Sequence, residues 1–101
     1  MSTLDPDWTI SPGETLRDWC DENGVSPRVC ARACGLSIET VDGILRGTAR
    51  IVPGIADKLQ RGTMISARLW LNLERAYRQG LAEGKTDVSA HVQVGRRRSR
   101  V

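Results

Sequence analysis

The stretch PRVCARACGLSIETVDGILR, Pro27–Arg46, carries the punctuation that decides the fold. Ser26 before it can accept from the free amides of a first helical turn, and Pro27 suits the first helical position, where its missing N–H costs nothing. A short helix from Pro27 to about Cys34 places Val29, Cys30, Ala33 and Cys34 near one face. Gly35 stops it, because only glycine takes the positive φ of so tight a turn without strain. Leu36 then plugs the turn, and Ser37 caps a second helix running to about Arg46, with Val41, Ile44 and Leu45 inward. Ala31 is small where the two helices must cross closely. Two helices joined by a turn of about three residues form a helix-turn-helix unit.

The same start and stop signals extend outward. Upstream, Ser11-Pro12-Gly13-Glu14 opens a helix with the pattern of a capping box, Leu16, Trp19 and Cys20 share its inner face, and Asn23-Gly24 ends it. Downstream, Ile51-Val52-Pro53 opens a fourth helix through Arg61, with Ile55, Ala56 and Leu59 inward. Ser66 caps the longest helix, from Ala67 to Leu81, whose apolar set is Leu69, Trp70, Leu73, Tyr77 and Leu81. No segment alternates long enough to demand a sheet, although VSAHVQV (88–94) could form one strand. The expected architecture is all-α: a compact five-helix domain over residues 11–84, an N-terminal arm over 1–10 and a basic tail over 85–101.

Composition narrows the function classes. The chain has 101 residues, no Phe, three Trp and one Tyr, so one modest aliphatic core is expected, and extra burial by dimerisation would help it. Residues 1–24 hold six acids and one base, residues 25–87 ten bases and six acids, and residues 88–101 four arginines and no acid. An acidic front and a basic back suit a protein that meets a polyanion on one side. The start MSTLDPDWTI lacks a basic, apolar leader and no stretch is long enough to span a bilayer, so a cytoplasmic location is expected. Cys20, Cys30 and Cys34 with His91 fit no zinc-finger spacing and read as apolar core thiols, so neither metal nor cofactor is expected. No nucleophile–base set, paired acids or phosphate-binding loop is visible, which argues against an enzyme.

Several segments together resemble a λ-repressor-like (Xre-type) domain, most nearly that of the HigA-type antitoxins. They are Ser11 to Arg17; Val25-Ser26 through Gly35-Leu36-Ser37; Ile44-Leu45-Arg46-Gly47; Ile51-Val52-Pro53; and Arg68-Leu69-Trp70-Leu71-Asn72-Leu73 followed by Tyr77. The last of these is the most diagnostic, and the whole covers about three quarters of the chain. The resemblance implies five helices and a homodimer built partly through the last helix, for which Leu69, Trp70, Leu73 and Tyr77 are the candidate contacts. It also implies binding of double-stranded DNA at near-palindromic operators, repression of the protein's own operon and, for true antitoxins, a small ribonuclease toxin as partner.

In such a fold the helix after the turn enters the major groove with its first residues facing the bases. Ser37 and Thr40 can bond phosphates or bases, Glu39 can accept from cytosine N4, Ile38 can touch a thymine methyl, and Asp42 and Arg46 follow. Arg28, Arg32, Arg46 and Arg50 are candidate phosphate contacts. Two features depart from the family pattern: Pro27 stands where a DNA-contacting Gln is common, and Asp42-Gly43 where a polar-basic pair is common. Two carboxylates facing phosphates are unfavourable unless each finds a donor, and Gly43 weakens an exposed helix by about 1 kcal/mol relative to Ala. These features motivate an alternative, a helix-turn-helix scaffold that docks its acidic face on a basic protein. The Arg96–Arg98 and Arg100 tail reads equally as a DNA-backbone arm or a solvated tail. Trp8 could staple the arm to the domain.

Overall fold

The computed structural model describes residues 8–87. The expected strand at 88–94, His91, the arginine tail, most of the arm and the Trp8 side chain lie outside that description. Five helices follow in chain order: α1 Pro12–Asn23, α2 Pro27–Cys34, α3 Ile38–Arg46, α4 Pro53–Thr63 and α5 Ala67–Ala82. The all-α architecture is as expected, with one addition. Trp8–Thr9 (β1) pairs in parallel with Thr86–Asp87 (β2), so the two ends of the described chain lie side by side.

Local chemistry accounts for most boundaries. Ser26, Ser37 and Ser66 accept from the amides of Val29, Thr40 and Leu69 at 3.2, 3.0 and 3.1 Å. Prolines open α1, α2 and α4. Ser11 departs from the expected cap: its side chain makes no bond to the helix amides, and its carbonyl takes the Glu14 N–H at 3.0 Å instead. The reason is burial. Ser11, Pro12, Gly13 and Glu14 all lie inside, where α1 meets α3. A Cβ on Gly13 would overlap the Ile44 carbonyl oxygen and stand 3.0 Å from Leu45 Cα. The close crossings fall there and at Gly62, where a Cβ would come within 2.9 Å of Cys34 Cα. Ala31, expected where α2 and α3 cross closely, is buried.

The core is one cluster built on Leu16, Cys30, Val41, Ile44, Leu59 and Trp70. On α2 the inward residues are Cys30, Ala31 and Cys34, so the buried stripe is turned from the expected one and leaves Val29 and Ala33 exposed. Helix α4 runs two residues past Arg61, because Thr63 Oγ1 donates to the Leu59 carbonyl at 2.7 Å and accepts from Ile65 N at 3.2 Å. The Gln60 side chain also accepts from Ala67 N at 2.7 Å, tying the end of α4 to the start of α5. Along α5, Trp70 and Tyr77 are buried and Leu73 is half-buried, while Leu69 and Leu81 stand exposed. No helix among the described residues is long and apolar enough to cross a membrane.

Candidate nucleic-acid interface

Helices α2 and α3 pack on each other and are held from beneath by buried Val41 and Ile44. Gly35 closes the turn between them at φ 73°, with the Leu36 N–H on the Ala31 carbonyl at 2.9 Å. This fixes α3 with its opposite side outward. Ser37 and Glu39 are exposed, Thr40 is half-buried, and Ile38 packs its side chain against the core. Arg28 and Arg32 on α2, Arg46 at the end of α3 and Arg50 beyond it are all exposed. The structure therefore leaves each polar side chain expected to contact DNA at least partly open to solvent.

The polar groups of α3 are unequally engaged. Ser37 Oγ and Thr40 Oγ1 lie 2.9 Å apart in a mutual hydrogen bond. Arg46 Nε pairs with Asp42 Oδ2 at 3.0 Å, with half or more of each side chain exposed. Asp42 thus has its donor, which halves the bare acidic face that motivated a protein-docking alternative. Glu39 has no ion-pair or hydrogen-bond partner among the described residues.

Gly43 corrects the reading of an ill-suited residue on an exposed helix. Its carbonyl accepts from Thr48 N at 2.8 Å, Ala49 N at 3.0 Å and Thr48 Oγ1 at 3.3 Å, so the following loop folds back onto α3. A Cβ there would stand 2.8 Å from Ala49 Cβ. Two arginines secure the same end of α3. Arg17 of α1 donates from Nη2 to the Leu45 carbonyl at 3.3 Å, placing a cation at the negative end of the helix. Arg78 of α5 donates from Nη2 to the Ala49 carbonyl at 3.4 Å, pairs through Nε with Glu74 Oε2 at 2.7 Å and lies 4.9 Å from the Tyr77 ring centre. The sequence reading missed Arg17, Gly43 and Arg78 as supports. Only the Glu74–Arg78 spacing, four apart on a helix, carried a local signal.

The three cysteines are free and buried. Burial pushes the Cys20 thiol up, and the hydrogen bond with Cys34, together with burial, pushes Cys30 up. They serve as packing groups of the core. A shallow cleft at the α4–α5 turn, lined by Asp57, Gln60, Arg61, Met64 and Ser66, shares no residue with the α3 face.

No family model matches the chain. It is 37% identical over 78 residues to the uncharacterized HTH-type transcriptional regulator YddM of Escherichia coli (strain K12), covering 77% of this chain and 83% of that one. Its fold is similar to that of PA4674 from Pseudomonas aeruginosa, solved in complex with its operator DNA, with a TM-score of 0.68 and 37% identity over 73% of this chain and 81% of that one. The Pseudomonas aeruginosa antitoxin HigA, solved with the higBA promoter, gives a TM-score of 0.68 and 36% identity over 73% and 82% of the respective chains.

Proposed function

This chain belongs to the HTH-type transcriptional regulators that include the HigA antitoxins, and on that premise we propose that it is a sequence-specific DNA-binding repressor. The observation that carries the reading is the stance of α3. Its Glu39 and Thr40 stand open on a helix capped at its start by Ser37 and braced at its far end by Arg17 and Arg78, with Arg28 and Arg32 exposed on α2 and Arg46 and Arg50 exposed at and beyond the end of α3. A preformed helix of this kind enters the major groove without an ordering cost, while the arginines engage phosphates.

A homodimer would place two such helices on half-sites about one helical turn apart. The face of α5 available for it consists of exposed Leu69 and Leu81 with half-buried Leu73. Trp70 and Tyr77 are buried within a single chain, so in this reading they stiffen the interface helix from below. Control of its own operon and neutralisation of a ribonuclease toxin rest on kinship with HigA antitoxins. Residues 11–84 would form the DNA-binding unit.

The test is a titration against a fluorescent duplex of the protein's own upstream region, beside a scrambled duplex, at several salt concentrations. Tighter binding to the native duplex with a steep loss as salt rises is expected. No binding to either duplex at low salt would overturn the reading.

A further inference from the structure

Helix α3 carries two carboxylates, and the structure treats them differently. Asp42 is neutralised by Arg46 at 3.0 Å. Ser37 and Thr40 are bonded to each other at 2.9 Å, and Ile38 is turned to the core. Gly43 has no side chain and lies under the returning loop. Elimination leaves Glu39, in the first turn and exposed, as the polar side chain of this helix with no partner among the described residues.

A free carboxylate brought into a groove lined by phosphates is repelled unless it accepts a hydrogen bond there. The major groove offers two kinds of base donor, the amino groups of cytosine and adenine. Adenine sets its N6 donor beside the N7 acceptor, which repels the second carboxylate oxygen. Cytosine presents its N4 donor with no acceptor on the same base's groove edge. Resting on the DNA-binding reading above, we propose that Glu39 is a specificity-determining residue that reads a cytosine in each half-site. In this division of labour Arg46, oriented by Asp42 through Nε, turns its terminal nitrogens to the backbone, and Glu39 alone supplies the carboxylate readout.

The experiment selects bound duplexes from a randomised library with the full-length protein, followed by sequencing, for the wild type, Glu39→Gln and Glu39→Ala. Circular dichroism of each variant confirms retained helix. The wild type should enrich C·G at one position per half-site by about tenfold over the alternatives. Glu39→Gln, with an amide that can pair with adenine N6 and N7, should move that preference to A·T. Glu39→Ala should lose it there while keeping the other positions. An unchanged consensus in all three proteins would overturn the assignment and leave the regulator reading standing. No enrichment by the wild type at low salt would overturn both, and would turn attention to a basic protein surface as the partner of Glu39.

Discussion

At Gly43 two effects oppose each other. Helix propensity favours alanine by about 1 kcal/mol, whereas a methyl group there meets Ala49 Cβ at 2.8 Å, closer than side chains tolerate. Overpacking of that kind costs about 1–3 kcal/mol, so Gly43→Ala should destabilise the protein in urea melts despite its better propensity. Gly54 is the control: nothing lies within 4 Å of a Cβ built on it, in the first turn of α4. Gly54→Ala should therefore raise stability by about 0.5–1 kcal/mol. Gly13→Ala, against the backbone of α3, should cost more than Gly43→Ala, because a carbonyl cannot swing aside as a loop methyl can. The same contrast explains what the sequence revealed. The caps at Ser26, Ser37 and Ser66 are legible because donor and acceptor lie three residues apart. Ser11, Gly13 and Gly43 are not, because their roles are set by chain segments that local patterns do not place.

Among the elements, α5 reaches the loop that follows α3 through the Arg78 side chain. Glu74 is 8% exposed, its Oε2 is held by Arg78, and its Oε1 has no hydrogen-bond partner among the described residues. Replacing Arg78 with Gln leaves a mostly buried carboxylate without its counter-charge, at a cost of about 2–3 kcal/mol. It also frees the Ala49 carbonyl. Arg78→Gln should thus lower the urea midpoint and speed hydrogen exchange at the Thr48 and Ala49 amides, with the α2 amides changed less. Unchanged exchange at Thr48 and Ala49 would show that Arg78 does not brace the loop. Helix periodicity gave the five helices and most of their ends, yet it misassigned Val29 and Ala33 on α2. An eight-residue helix has barely two turns, so its apolar stripe can be drawn in more than one register. On α5 periodicity found Trp70, Leu73 and Tyr77 but missed Leu71, which packs against the core, and it cannot say which members one chain consumes and which it leaves for a second copy.

For the molecule as a whole, the proposed phosphate contacts are four exposed arginines, Arg28, Arg32, Arg46 and Arg50. If each displaces one counterion, the plot of log affinity against log salt should slope at about −3.5 per chain, or about −7 for a dimer on two half-sites. Arg32→Ala should make the dimer slope shallower by about 2 while leaving the preferred sequence unchanged. Changing Leu69 to Glu should shift sedimentation toward the monomer and weaken operator binding without unfolding the chain, since Leu69 lies outside the core. The fold was legible at this scale because caps, glycine stops and the family's segments agree. The base-reading chemistry was legible only as a set of candidates, since it depends on which side chains already have partners.

The pairing of Trp8–Thr9 with Thr86–Asp87 has a kinetic consequence. It closes a loop that contains nearly the whole described chain, with Thr9 wedged against Gly80 and the Lys85 N–H on the Gly80 carbonyl at 2.9 Å. Contacts so distant in sequence form after local ones, because the intervening chain must be ordered before they can be made. Two residue pairs add little stability once made, so the clasp can open while the helices stay intact. During refolding, the amides of residues 8–9 and 86–87 would be the last to gain protection, and in the native state the first to exchange.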